Sequence, residues 1–307
     1  MPTASSPSLV LVGPPIGASP WILDRLCAEV GARIDGSVVV PASGPMPPAE
    51  RYLFSHYMYF LRALVRRRPP AGARCDVIVT HLEPWKHRVP DAVVAVGLRR
   101  ASTIHCMNRV SAERLVGLGV PRTRVRLLPF GFDPRVFFPS GAASAGRTDV
   151  GLCAAYYPRK APERIRAVIE AMPQRRFRLL GQGWEGTSAL SQLRRLPNFS
   201  YEERPYDAYP AFYRSLDVFL SLSRLEGGPV PLLEAMACGV VPVATATGFA
   251  PELLGRGGGG RLVPVDAGVP EIVRAIDGAS GDPAALSRAV AHCAWDSVAA
   301  SVRADDL

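Results

Sequence analysis

The stretch Ser223–Gly239 reads SRLEGGPVPLLEAMACG, and the fold follows from what stands on either side of it. Before it, Asp217–Leu222 is a short apolar run of strand type, and after it Val240–Ala244 is another. Between them Gly227-Gly228 makes a loop. Pro229 and Pro231 occupy positions that a helix start tolerates, so Pro231–Cys238 is expected as a helix. Strand, glycine loop, helix, strand is the repeating unit of a parallel sheet covered on both faces. Such a loop is also an anion site. Its backbone N–H groups and the positive end of the following helix face the C-terminal edge of the sheet, where α/β ligands bind. Glu226 and Glu234 flank it. Carboxylates are poor phosphate ligands but good acceptors for vicinal hydroxyls, so one can hold a ribose and the other a hexose. Taken alone, the pair reads more simply: Glu234 complements the helix dipole and Glu226 is a solvated loop residue.

The same alternation runs outward from this segment. Leu9–Val12, Ser37–Val40, Asp76–Thr80 and Val125–Leu128 read as strands in the first half. Val150–Ala154, Phe177–Leu180 and Arg261–Val263 join the two strands above in the second. Pro162–Met172, Ala208–Ser215 and Ala267–Asp277 read as helices. The segment Pro139–Gly146 (PSGAASAG) is small and nearly uncharged, which marks a linker. Two domains are expected, residues 1–141 and 142–307.

The chain has 307 residues, 48% of them hydrophobic and 21% charged, a globular composition long enough for two cores. Its six cysteines, with no C-x-x-C pair, point away from a disulfide framework or structural zinc and toward a reducing compartment. No basic segment with an apolar run of signal length opens the sequence, and no run is long enough to span a membrane. A cytoplasmic protein is expected. The net charge of +9 is uneven: residues 1–150 hold 19 Lys and Arg against 10 Asp and Glu, and residues 151–307 hold 17 of each. The excess fits either an anionic partner of the first half or an arginine-rich surface with none.

The segment SRLEGGPVPLLEAMACGVVPVATATG resembles the E-x7-E region of retaining glycosyltransferases of the GT-B fold, the group called family 4 or "group 1". VRLLPFGFDPRVFFP (Val125–Pro139), YPRK (Tyr157–Lys160), GRLVPV (Gly260–Val265) and Trp295-Asp296 resemble further segments of that family, and the likeness covers roughly residues 100–300. It implies two Rossmann-like domains facing a cleft, with a C-terminal helix crossing back to the first domain. It implies a sugar moved from a nucleotide-diphosphate sugar to an acceptor (a small molecule, a glycan or a lipid-linked intermediate) with retention. No cofactor or metal is implied, and no nucleic acid. By the resemblance Glu226 contacts donor sugar hydroxyls, Glu234 the ribose and Lys160 the diphosphate, with Gly227 and Gly228 lining the same loop. The family carries an arginine five residues before this lysine, where this chain has Ala155. Arg159 can take its place, or diphosphate binding is weakened.

Other signals are fainter. Gly17, in the loop GPPIG after the first strand, is a candidate donor-phosphate contact or an ordinary turn. His81 and His105 each end a strand. His81 is the better candidate for a catalytic histidine, although a structural histidine is the simpler reading. Tyr52–Arg68 reads as an aromatic helix with a basic end, either packed in the core or lying at a membrane interface as a peripheral contact. Gly181, Gly183 and Gly186 spell a dinucleotide fingerprint but follow the second strand of their domain. Two other function classes therefore stand beside the transferase: a non-catalytic relative binding a sugar nucleotide or a partner, and a nicotinamide-dependent oxidoreductase.

Overall fold

Two six-stranded parallel sheets organise the chain in the computed structural model, which describes residues 6–14, 22–66, 69–70, 72–83, 88–140 and 149–304. The chain divides into two compact units. One comprises Met1–Gly131 with Trp295–Leu307, the other Phe132–Ala294. The segment 132–140 thus goes with the second unit, and most of the small-residue stretch read as a linker lies outside the described residues.

In the first unit the strand order is β2-β1-β3-β4-β5-β6. The strands are β1 (Leu9–Gly13), β2 (Ser37–Pro41), β3 (Arg51–Phe54), β4 (Arg74–Val79), β5 (Thr103–Cys106) and β6 (Val125–Leu127). All pairings are parallel. Helices cover both faces of such a sheet, so its central strands are continuous apolar runs with no alternation. That property explains one difference from the sequence reading. Residues 51–54 are not the start of a helix but a central strand between β1 and β4, with Tyr52, Leu53 and Phe54 fully buried. The helix is shorter, Tyr57–Val65. His56 caps it, its Nδ1 accepting from the Met58 N–H at 3.2 Å. Tyr57, Met58, Phe60 and Ala63 of that helix are buried in the core, while Val65 at its end is exposed.

The last helix, Trp295–Ala304, packs on the helix Ile22–Gly31 of this first unit. Trp295 is fully buried, edge-on to Phe130 at 4.9 Å, and lies against Gly131. A Cβ on that glycine would sit 2.1 Å from the indole. Arg33 reaches Asp296 at 2.6 Å. Arg51 donates to the Val302 carbonyl at 2.6 Å while pairing with fully buried Asp76 at 2.7 Å.

In the second unit the order is β12-β11-β10-β7-β8-β9, again all parallel. The strands are β7 (Asp149–Cys153), β8 (Arg176–Leu180), β9 (Phe199–Glu202), β10 (Val218–Ser221), β11 (Val241–Thr245) and β12 (Arg261–Val263). The chain winds outward from β7 through β8 to β9, then returns to β10 and winds the other way. The winding reverses between β7 and β10, and the crevice at such a reversal is where open α/β sheets hold their ligands.

Candidate functional site

The loops that leave β7 and β10 at this reversal carry the charged residues of interest. After β7, a 3-10 turn at Pro158–Lys160 runs into Ala161, which has the left-handed conformation (φ 54°, ψ 56°), is fully buried, and precedes the helix Pro162–Ala171. A non-glycine residue held in that region is strained, and such strain persists where surrounding structure imposes it. Here the kink ends the turn with Arg159 and Lys160 aimed at the neighbouring loop. After β10, the loop to the helix Val230–Ala237 places Glu226 opposite them.

Glu226 is buried and meets both cations. Arg159 Nη1 stands 2.7 Å from its Oε2, and Lys160 Nζ donates to its Oε1. Burial alone would push the carboxyl up. The charges of Lys160 and Arg159, with hydrogen bonds from Lys160 and Ser223, overcome that and bring it down to about 2. The backbone fixes the arrangement. Arg224 N–H donates to the Arg159 carbonyl at 2.8 Å, and Arg159 Nη1 also donates to the Leu225 carbonyl at 3.0 Å. Glu226 N–H donates to Thr247 Oγ1 at 3.0 Å, which ties in the loop after β11. Gly228 and Gly248 permit this closeness. A Cβ on Gly228 would lie 2.3 Å from the Phe249 ring, and one on Gly248, at φ 58°, would lie 2.9 Å from Glu226 Cβ.

Glu234 is inside the helix Val230–Ala237 and 2% exposed. Tyr206 donates its hydroxyl to Oε1, and Tyr213 donates to Oε2 at 2.9 Å. Burial, then the neighbouring Cys153 and Glu234, hold the Tyr213 hydroxyl well above its ordinary value, so it remains a donor. The sequence reading places Tyr213 in the expected helix Ala208–Ser215 but gives neither tyrosine a part in the site. Both precede Glu234 by more than 20 residues, and the turn and helix that present them leave no pattern marking which glutamate they meet.

The structure therefore brings Arg159, Lys160 and Glu226 into one cluster, with Gly227 and Gly228 in the same loop and Glu234 on the helix that follows. Ala155 is exposed in the turn after β7, and Arg159 occupies the cluster. Gly17 lies outside the described residues. His81 belongs to the first unit, two residues past β4, with Nε2 3.4 Å from Glu83 Oε1. His105 is inside β5 rather than at its end. Gly181, Gly183 and Gly186 turn the chain around Trp184, which is fully buried and donates its indole N–H to the Ala154 carbonyl at 2.7 Å. A separate cavity of about 480 Å³ lies at the opposite end of this sheet, where β7 and β8 begin. Its Arg176 and Arg178 are engaged by Asp149 and Glu202. Among the described residues, no group of three or more His, Cys, Asp and Glu is placed to hold a metal ion, and no helix is long and apolar enough to cross a membrane.

Residues 164–291 match the family model "Glycosyl transferases group 1". The chain is 29% identical over 265 residues to a putative colanic acid biosynthesis glycosyltransferase, WcaL, of Salmonella typhimurium, and 30% identical over 263 residues to its Escherichia coli counterpart. Each match covers 79% of this chain and 61% of the relative, so the chain spans about three fifths of the length of the curated relatives it matches. Among solved structures it is similar to sucrose-phosphate synthase from Thermosynechococcus elongatus (TM-score 0.79, 15% identity, 97% of this chain and 98% of that one). It is also similar to Anabaena HepE in complex with UDP-glucose (TM-score 0.73, 16% identity, 97% and 98%). At these identities the likeness shows the fold: two parallel six-stranded sheets with their helices, GT-B.

Proposed function

We propose that this chain is a glycosyltransferase that takes a sugar from a nucleoside-diphosphate sugar, with the donor held at the β7/β10 reversal of the second unit. The observation that carries this reading is the cluster of Arg159 and Lys160 on buried Glu226. Two cations and a carboxylate are what a sugar diphosphate requires: positive charge for the phosphates and an acceptor for the sugar hydroxyls. In the absence of donor these groups neutralise one another. A diphosphate then competes with Glu226 for the cations and leaves the carboxylate to accept from the sugar. As the glycosidic bond breaks, negative charge accumulates on the departing diphosphate. Cations already positioned there stabilise that charge without reorganising, which is the largest single catalytic effect at many sites. Arg159 supplies the second cation that Ala155 does not.

In this reading Glu234 accepts from the ribose. The transfer is metal-independent, since Arg159, Lys160 and the N-terminus of the helix Val230–Ala237 supply the positive charge. It proceeds with retention, in keeping with the resemblance of the loop segment, by a front-face displacement in which the leaving phosphate acts as base. The acceptor, and any peripheral membrane contact, belong to the first unit, where His81 is a candidate contact. Residues 1–150 carry the whole positive excess. That the structural neighbour HepE is described with UDP-glucose and the curated relatives with colanic acid supports a nucleotide-sugar donor and a glycan or glycan-precursor acceptor.

The test is calorimetric titration of the protein with UDP-, GDP-, ADP- and dTDP-sugars, followed by measurement of slow donor hydrolysis. Binding of one donor, abolished together with hydrolysis in folded Lys160→Ala, is expected. Absence of binding by every donor would overturn the reading.

A further inference from the structure

Glu234 presents a difficulty for any ligand. It is 2% exposed, so nothing reaches its carboxylate unless a group now covering it moves. The two hydroxyls on it are not equally movable. Tyr213 is fully buried in the helix Tyr209–Arg214, with Phe137, Tyr209, Phe212 and Phe219 around its ring. Tyr206 is 37% exposed in a three-residue 3-10 turn that follows an exposed stretch, Glu203–Pro205, and its ring meets Phe137 and Tyr209.

We infer that Tyr206 is a placeholder for the donor's ribose: its hydroxyl holds the place on Glu234 Oε1 that a ribose hydroxyl takes, and it swings out when the nucleotide binds. This rests on the reading of Glu234 as the ribose acceptor. The chemistry of the exchange is matched. A phenol O–H and a ribose O–H are both neutral donors, and each gives a carboxylate the same kind of charge-assisted bond. A buried carboxylate oxygen is costly to leave without a donor, and Tyr206 supplies one to Oε1. Tyr213 keeps Oε2 through the exchange, which holds the Glu234 side chain in its rotamer while Oε1 changes partner. The released Tyr206 hydroxyl returns to solvent from an already exposed turn. Tyr206 is thus a positioning residue that sets nucleotide affinity, since each binding event must break its bond to Glu234.

The experiment is calorimetric titration of wild type, Tyr206→Phe and Tyr206→Leu with UDP, GDP and ADP and with their 2′,3′-dideoxy counterparts. Either substitution removes the competing donor and keeps an apolar side chain against Phe137 and Tyr209. A hydrogen bond to a charged group is worth enough that the best-bound diphosphate should bind about tenfold more tightly to the variants. The dideoxy counterpart should show no such gain, because it brings no hydroxyl to Oε1. Tyr213→Phe should give no gain with either. Unchanged or weaker diphosphate affinity in the Tyr206 variants, with wild type binding normally, overturns the placeholder alone. So does a gain that the dideoxy nucleotide shares. No diphosphate binding by wild type removes the proposed function and this inference together.

Discussion

Replacing Glu226 by glutamine should change the acid stability of the protein in a defined way. In the folded chain its carboxyl is brought from 4.5 down to about 2 by Lys160 and Arg159 against the opposing effect of burial. A displacement of that size, at about 1.4 kcal/mol for each tenfold, corresponds to stabilisation on the order of 3 kcal/mol. The folded value lies below the unfolded one. The contribution is therefore fully present above pH 4.5 and is lost as the pH falls from there through about 2. Glu226→Gln has no proton to gain, so it should be less stable than wild type near neutrality by up to that amount. The difference should shrink toward zero as the pH approaches about 2. Other carboxylates titrate in both proteins and cancel. Urea denaturation followed by tryptophan fluorescence at a series of pH values reads the difference directly, and Trp184 reports from within the second unit. A wild-type-to-variant gap that stays constant from neutrality to about pH 2.5 would refute the reasoning, because Glu226 would then not be the ionised partner of the two cations.

Other consequences can be measured alongside. Glu226→Gln should bind the free nucleoside diphosphate more tightly while turning over more slowly, since Lys160 and Arg159 no longer have a carboxylate to leave; calorimetry and donor hydrolysis on one preparation show whether the two move in opposite directions. Lys160→Ala should lose on the order of 2–4 kcal/mol of transition-state stabilisation, and Arg159→Ala a comparable amount if it is the second cation; a silent Arg159→Ala in a turnover assay would leave Lys160 as sole counter-charge. Turnover should persist in excess EDTA, and full loss restored by one added metal would contradict the cation-based mechanism. Gly131→Ala should destabilise the first unit by about 1–3 kcal/mol, because its methyl meets the Trp295 ring; a melting temperature equal to wild type would show that the last helix is not held there.

The features legible in the sequence were those written in neighbouring residues. The loop Glu226-Gly227-Gly228 and the helix after it are local, and both stand where the order of residues put them. The alternation of strands and helices likewise gave two parallel sheets. What escaped was set by distance in the chain or by loss of period. Arg51–Phe54 carries no alternation because both faces of β3 are covered, so an aromatic run in a central strand looks like part of the helix that follows. The pairing of Arg159 with Glu226 spans 67 residues, and it depends on the left-handed Ala161, a conformation that alanine does not advertise. Tyr206 and Tyr213 meet Glu234 across 28 and 21 residues.

Those distant contacts share one physical function. Both glutamates of the loop and helix are buried, and an isolated buried carboxylate is too costly to persist. Each has acquired donors from another element: Glu226 the cations of the turn after β7, Glu234 the hydroxyls of Tyr206 and Tyr213. Both carboxylates are thus satisfied from within the chain. In the proposed reading, donor binding exchanges these internal partners for phosphate oxygens and for sugar and ribose hydroxyls, and it does not fill an unsatisfied cavity. An exchange of like bonds has a small net free energy even when each bond is strong. Affinity then depends on the difference between internal and ligand partners, so a variant that weakens an internal partner without removing the ligand's own contacts should bind more tightly. Glu226→Gln acts in that sense for the diphosphate and Tyr206→Phe for the ribose. The two substitutions lie at separate groups of the donor, so their effects on nucleoside diphosphate affinity should add in the double variant, as independent sites do. Strong non-additivity would mean that cation release and tyrosine release are one concerted motion of the loops after β7 and β9.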